Sequence, residues 1–571
     1  MTFDPLLSRR DLMTAAAALA GAVPARNLLA KDQPASAPER GTAPGVTVKG
    51  TVFELRSGAL TRQAGDRGLA GVMVSNGRDV VRTDADGTYS LPAEDGTAIF
   101  IIKPSGYNVL LDEITRLPRF SYIYQPDGTP PGLDLLYPGL KPSGPLPAAV
   151  DFGLTKAKEP DRFDAVLFAD PQPESQAEID FIREDVADAL LGVKAAFGIT
   201  AGDIMFDDLS LYGRYNRIIG QIGIPWWNIG GNHDLNFEAP DSRYSRETYK
   251  RVFGANYYAF EYGNTLFLML DNVEYLGADP AKPRRAGKYR GVFGEHQLAF
   301  IANVLRETPL SQLVAAFMHI PLQNYLDPND PATNVADRAE FLALFAGRNA
   351  VSFSGHTHTT EHHYFGPPEG FNGAPAHHHH VLTAVSGSWW SGPLDRRGIA
   401  SADSRDGTPH GFHILSVDEG KYTTRFVPAN EPNARQMRIS IDSDFHSGPD
   451  LFRDFRAGQL RMSPLSQERL SAAALIVNVF DGGPKTAVRY QIGDGSPIEM
   501  RREARPDPFV QEVFARNRET IKPWVKAELS SHIWTARLPA ALEPGAHTIA
   551  VHVVDEYGRS HHDYLILEVT P

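Results

Sequence analysis

The chain has 571 residues, with 56 Lys and Arg against 69 Asp and Glu, a formal net charge of −13 and no cysteine. That balance disfavours nucleic acid or an anionic membrane as the main partner, since both need clustered positive charge. The missing thiol excludes disulfide frameworks, zinc ribbons, iron–sulfur clusters and cysteine nucleophiles, so any metal must be held by His, carboxylate, amide or water.

In chain order, Ser8-Arg9-Arg10-Asp11-Leu12-Met13 places two arginines before the short, alanine-rich stretch Thr14 to Ala25. That stretch suits a signal h-region and is too short to span a bilayer. Residues 1–30 resemble a twin-arginine export signal, ending at Ala25 or Ala30. A retained amphipathic helix is the other reading. The expected location is periplasmic or otherwise exported. No later run is long and apolar enough for a transmembrane helix.

Residues 31–45 are Pro, Ala and Gly rich and read as a linker. From 46 to 155 the apolar period is two, as at Val46, Val48 and Val52, then Val72 and Val74. Asp84-Ala85-Asp86-Gly87 is a hairpin turn signal between strands; turn chemistry explains its aspartates better than calcium. Short strands with Gly-rich turns imply a β-sandwich, and the stretch resembles prealbumin-like modules.

Between 160 and 425 apolar strands alternate with helical stretches, Ser175–Ala196 and Glu295–Leu305, which implies an α/β unit. From 430 to 571 strands return at Ala474–Val479, Ala487–Ile492, His547–Val554 and Tyr564–Val569, giving a second β-sandwich.

Five strands of the middle segment run directly into residues with metal-binding chemistry. They lead to Asp170 and Gln172, to Asp203, to Asn232-His233-Asp234, to His319, and to His356-Thr357-His358. In an open α/β sheet the crevice beyond the carboxyl ends of the strands is where ligands sit. The glycines beside these residues let backbone turn sharply and come close. Each fragment alone reads as a turn, cap or core histidine, but the joint series on one rim points to a metal centre. His356 and His358, at i and i+2 of an extended segment, would share a face.

The series Asp-Pro-Gln, Gly-Asp, Gly-Asn-His-Asp, His, Gly-His-Thr-His resembles the calcineurin-like metallophosphoesterases, and the flanking β-modules resemble an exported bacterial subgroup. The resemblance implies a central αββα sandwich flanked by two all-β sandwich domains, and two divalent cations about 3.5–4 Å apart. It implies that Asp170, Gln172 and His358 serve one ion, that Asn232, His319 and His356 serve the other, and that Asp203 bridges them. A hydroxide between the ions would attack phosphorus while His233 assists the leaving oxygen, oriented by Asp234. Gln172 departs from the common pattern, in which many members carry His. The oxygen-rich donor set leans to manganese over iron or zinc. The expected substrate is a small phosphorylated molecule, as a monoester or a diester. A catalytically inactive exported protein that contacts the cell envelope through its β-modules is the rival reading.

Other residues carry expectations of their own. Asp207 and Asp208 either brace the metal shell or begin a helix; Asp271-Asn272 read as a cap. His362-His363 follow the last ligand pair, and His377–His380 precede the strand Val381–Val385; the four-histidine run reads as a half-exposed strand start near the site, with metal scavenging as the other reading. Trp389-Trp390 either stack on a substrate ring or pack against the tail. Asn236, Arg285, Tyr289 and Arg290 are candidates to meet substrate.

Overall fold

The structure, a computed structural model, describes residues 45–56, 62–278, 287–429, 435–445, 452 and 464–571. The twin-arginine segment, the linker up to residue 44 and Arg285 lie outside the described residues.

Alternation builds the first layers. In the strand Thr88–Ala93 every second residue is buried, which turns Tyr89, Leu91 and Ala93 inward. It pairs antiparallel with Val46–Glu54, which also runs parallel to Phe152–Lys156, in a five-stranded sheet. A four-stranded sheet holds Val80–Arg82, Met73–Ser75, Thr97–Ile101 and Ser121–Tyr124. The Asp84–Gly87 turn does not close a hairpin between its two flanking strands. Val80–Arg82 pairs with Met73–Ser75 in one sheet and Thr88–Ala93 with Val46–Glu54 in the other, so the turn carries the chain between sheets. The Asp84 carboxylate accepts from the amides of Asp86 and Thr88 and from the Thr88 hydroxyl, the turn chemistry the sequence calls for.

The centre is two sheets face to face. A five-stranded sheet runs in the order Trp226–Ile229, Phe197–Ala201, Arg162–Phe168, Gly411–Asp418, Lys421–Pro428, the first three parallel. A six-stranded sheet orders Tyr258–Tyr262, Thr265–Met269, Leu313–Phe317, Ala350–Ser354, His377–Val381 and Glu361–Phe365. Arg162–Phe168 shows how the layers form. Ala165, Leu167 and Ala169 face the core shared with the six-stranded sheet, while Val166 and Phe168 face an outer core with Ile179, Tyr215 and Phe253 from three helices. A strand covered on both faces is continuously apolar, as this one is from Ala165 to Phe168. Each such side chain contributes at most about 1.5–3 kcal/mol. The helices Gln176–Ile182, Tyr212–Ile219 and Glu247–Phe253 cover one sheet, and buried residues of Gly294–Glu307 and Arg338–Ala343 join the core of the other. The layers are helix, sheet, sheet, helix.

The helical stretch expected at Ser175–Ala196 is shorter. The α-helix stops at Ile182 and passes through a π-turn at Arg183–Ala187 and a 3₁₀ turn at Asp188–Leu190. Ser175 caps its start by accepting from the Glu178 amide.

Beyond 435, a four-stranded sheet (Met437–Asp442, Ala474–Val479, Ile533–Arg537, Arg501–Arg502) and a five-stranded one containing Ala487–Ile492, Gly545–Val554 and Ser560–Thr570 share a core around Val477, Trp534 and Val551. Among the described residues no helix is long and apolar enough to cross a membrane.

Candidate metal centre

Seven residues singled out in the sequence meet at the carboxyl ends of five strands. Asp170 and Gln172 follow Arg162–Phe168, Asp203 follows Phe197–Ala201, and Asn232 follows Trp226–Ile229. His319 follows Leu313–Phe317, and His356 and His358 follow Ala350–Ser354. All are buried except His356, which is partly exposed. The chain reaches these positions by leaving ordinary backbone geometry. Asp170, Gln172, Asp203, His356 and His358 have φ of 50°, 37°, 49°, 79° and 52°. Each is a non-glycine residue in the left-handed region, a strain of roughly 1–3 kcal/mol that persists only where the surroundings impose it. His356 and His358 therefore converge through two left-handed residues and not by the alternation of an extended segment. Close approach fixes two glycines. A Cβ on Gly231 would lie 2.0 Å from Asp203 Oδ1, and one on Gly355 would lie 2.2 Å from Asp170 Oδ2.

The donor set is short of hydrogens. His319 Nδ1 lies 3.0 Å from the Ala201 carbonyl, which only accepts, so Nδ1 carries the hydrogen of the neutral ring and Nε2 is the nitrogen left for a proton or a cation. That nitrogen is 3.1 Å from Asp203 Oδ2, 3.1 Å from Asn232 Oδ1 and 3.2 Å from His356 Nδ1. His356 Nε2 in turn donates to the Ala332 carbonyl at 3.0 Å, so its Nδ1 is also a lone pair. His358 donates through Nδ1 to the Gly387 carbonyl and turns Nε2 toward Asp170 Oδ1, 3.7 Å away. Gln172 places its amide 2.5 Å from Asp203 Oδ2, and its Oε1 is buried with no hydrogen-bond partner. A proton on His319 would satisfy one of three acceptors at near-equal distance; a cation among them satisfies all. Separations of 3.1–3.2 Å match the ligand–ligand edges expected for bonds of about 2.0–2.2 Å. The residues fit a cation centre of nitrogen and oxygen ligands.

The electrostatics point the same way. Burial pushes the Asp170 carboxyl up to about 7, assisted by the Asp203 charge and opposed by His319. Burial acts against the charged form of His319, yet Asp203 carries it to about 9. Burial and the neighbouring His319 hold His356 down to about 3; burial likewise holds His358 at about 3. Two neutral imidazoles beside concentrated carboxylate charge are what a cation requires.

His233 sits beside this cluster, its backbone amide donating to Asp203 Oδ1 at 2.9 Å. Its Nδ1 lies 2.6 Å from Asp207 Oδ1. The orienting carboxylate is thus Asp207 and not Asp234. Asp234 is fully occupied elsewhere, accepting from the amides of Gly231, Ile204 and Met205 and from Tyr212 Oη, which ties two rim loops together. Burial disfavours a charged His233, but Asp203 and Asp207 outweigh it and raise the imidazole to about 9.

Several sequence expectations change. Asp271 accepts from the Val273 amide at 3.3 Å, as a cap does, and also forms a two-point ion pair with Arg246, which donates to the Gly231 carbonyl. Asn272 accepts from the amides of His319 and Ile320 and donates to the Ile320 carbonyl, setting the backbone that carries His319. Asp208 caps the 3₁₀ turn Leu209–Leu211. Asn236 does not meet substrate: it is buried and paired with Thr248. Arg290 pairs with Glu274. Tyr289 stands with its ring 6.0 Å from that of His356. His377–His380 are buried, not half exposed, because the strand is interior to the six-stranded sheet.

An aromatic wall lines the His233 side. Phe206 stacks on His233 at 4.5 Å, Trp524 stacks on Phe206 at 5.6 Å, and Trp389 stacks on His358 at 4.0 Å and meets Trp524 edge-on at 6.4 Å. Trp524 is 45% exposed. Beside it Lys522 pairs with Glu174 and Glu178. Trp390 turns away, donating to the Pro171 carbonyl and packing on Phe181. Phe206 and Trp524 had no sequence signal, since aromatic residues at those spacings read as core.

Comparison with known proteins adds the following. Residues 379–561 match the family model described as the C terminal of calcineurin-like phosphoesterase, and residues 56–130 match the N terminal of calcineurin-like phosphoesterase. No curated protein matches the sequence significantly. Among solved structures, a dimetal phosphatase from Danio rerio is similar at 15% identity over 46% of this chain and 95% of that one, with a TM-score of 0.32. A purple acid phosphatase, PPD1, from seeds of yellow lupin (Lupinus luteus) gives 13% identity over 62% and 67%, TM-score 0.33. PhoD gives 12% over 60% and 86%, TM-score 0.34. Likenesses this coarse carry no weight in the assignment, which rests on the two family matches flanking the motif series. On that ground the chain is similar to calcineurin-like phosphoesterases in the segments on either side of the motif series, a likeness that supports a metal-dependent phosphoesterase.

Proposed function

We propose that the rim holds two divalent cations and hydrolyses small phosphoric esters with His233 as the acid for the leaving oxygen. The observation that carries this reading is the set of acceptors converging within 3.1–3.2 Å on His319 Nε2, with His233 adjoining through Asp203. Asp170, Gln172 and His358 would hold one ion, Asn232, His319 and His356 the other, and Asp203 both. When bound, such ions polarise phosphoryl oxygens and lower the pKa of water enough to supply a nucleophile near neutral pH. The chain does the rest. Asp207 accepts from His233 Nδ1, which leaves Nε2–H to donate to the departing oxygen. Phe206 and Trp524 exclude water from that side and offer ring faces to the leaving group. The mixture of carboxylate, amide and imidazole favours manganese, with iron or zinc as alternatives.

The test is elemental analysis of the purified full chain together with hydrolysis of p-nitrophenyl phosphate and bis-p-nitrophenyl phosphate. Two bound transition-metal equivalents at the rim and turnover lost on chelation and restored by Mn²⁺ are expected. Metal-independent turnover defeats the reading. We further propose export through the twin-arginine route, on the Arg9-Arg10 pattern. Replacing both arginines by lysine should leave the protein in the cytoplasm.

A further inference from the structure

A second cluster of metal-type ligands lies away from the rim residues and shares none of them. His362 and His380 stand opposite each other in the antiparallel pairing of Glu361–Phe365 with His377–Val381. That register puts both side chains on one face, rings stacked at 4.0 Å. Asp481, just past the strand Ala474–Val479, enters from the C-terminal sheets. Its Oδ1 lies 3.2 Å from His362 Nε2 and 3.0 Å from His380 Nε2. The three ligand atoms lie within 4.8 Å of one another, and all three residues are buried.

The surrounding hydrogen bonds set the hydrogens. Thr424 donates its hydroxyl to Tyr557 at 2.8 Å, so toward His380 Nδ1, 3.4 Å away, it accepts. His380 Nε2 therefore presents a lone pair to a carboxylate oxygen 3.0 Å off, an arrangement that needs positive charge between the two. His362 Nδ1 is committed to His378 Nε2 at 2.9 Å, and His378 to Tyr422 Oη at 2.8 Å, which fixes the His362 ring. His413 accepts from the Thr383 amide at Nε2, so its Nδ1–H faces Asp481 Oδ2 at 3.8 Å as a donor and not a ligand. The loop after Asp481 lies hard against the cluster: a Cβ on Gly483 would come within 2.8 Å of His362 Cβ. Tetrahedral zinc, with bonds of about 2.0–2.1 Å, holds its ligand atoms about 3.3 Å apart. Both separations to Asp481 Oδ1 are close to that.

We propose that His362, His380 and Asp481 form a closed structural site for one zinc-like divalent ion, which clamps the C-terminal sheets to the edge of the six-stranded sheet. A site whose two imidazoles are fully buried suits a structural ion. Burial of a carboxylate is costly, and an ion's charge would offset that cost more fully than neutral imidazoles do.

The test is elemental analysis of the full chain after exhaustive dialysis, wild type against Asp481→Asn and His380→Gln. The expected result is one equivalent fewer in each variant, a lower Tm that added zinc no longer raises, and phosphoesterase turnover retained by the molecules still folded. Unchanged metal content in folded variants overturns the proposal and leaves the rim reading intact, the cluster then being joined by protons. If the variants do not fold, the full chain carrying Asp203→Asn and His319→Ala is loaded with Co²⁺. Intense tetrahedral d–d bands from one equivalent support the clamp; their absence overturns it. One retained equivalent together with a wild-type rim that binds none supports the clamp and sinks the rim reading.

Discussion

The chain gathers histidines and carboxylates twice, by opposite means. At the rim, each candidate ligand sits on a loop just beyond a strand, and five of the seven have positive φ. At the inner cluster, His362 and His380 are regular strand residues brought together by register alone. A rim site must leave its ligands open to substrate, and there the backbone bends to aim side chains that sheet geometry would splay apart. A closed site needs no opening, and cross-strand pairing is enough. Positive φ thus gathers on the loops beyond the strands and is absent from His362 and His380, which regular pairing holds.

The largest effect that would break this comparison is expected at Asp203. Asp203→Asn should abolish turnover and lower rim metal content, while the folded state persists by circular dichroism. Wild-type-like turnover removes the central ligand from the account. Next, Gly231→Ala should nearly match that loss, because the new Cβ would meet Asp203 Oδ1 at 2.0 Å. An active Gly231→Ala chain would mean the rim is far more yielding than its backbone implies. The inner cluster, resting on register, should be untouched by either change, read as retention of its own metal equivalent.

His233→Ala and Asp207→Asn come third. Loss of a general acid costs roughly 10²–10⁴-fold for poor leaving groups. Alkyl phosphates should suffer that loss while p-nitrophenyl esters suffer less. Equal losses on both substrates argue against proton donation, and an Asp234→Asn chain more leaving-group sensitive than Asp207→Asn would reverse the assignment of the orienting carboxylate. The smallest expected effect is at Trp524. Its ring should contribute about 0.5–1.5 kcal/mol to an aromatic leaving group. Trp524→Ala should therefore raise KM for p-nitrophenyl esters by roughly 2- to 10-fold while leaving KM for alkyl phosphates unchanged. An equal rise for both would make the wall a packing feature only.

The rim was largely legible in the sequence because its logic is local. An apolar run marks a buried strand, and the polar residue after it marks the crevice, so Asp170, Asp203, Asn232, His319 and His356 are found without knowing which strands pair. At Asp234 the outcome differs. The resemblance implied that it serves His233, but the loop turns it back onto the amides of Gly231, Ile204 and Met205, and Asp207 from another loop takes the place. His377–His380 carried too little hydrophobicity to be read as interior; their burial follows from satisfied partners such as Ser352 and Ser354, supplied by the neighbouring strand. Asp84–Gly87 has the sequence of a hairpin turn, and only sheet membership shows that it crosses between layers.

By itself, then, the sequence determined the donors and the order in which strands deliver them, since both depend on residue type and nearest neighbours along the chain. The tertiary structure alone decided which carboxylate holds His233, that Trp524 reaches the rim, and that Asp481 closes on His362 and His380. Those pairings join segments far apart in the chain, and they are selected by packing and by the need to satisfy every buried polar group, neither of which leaves a periodic trace in the sequence.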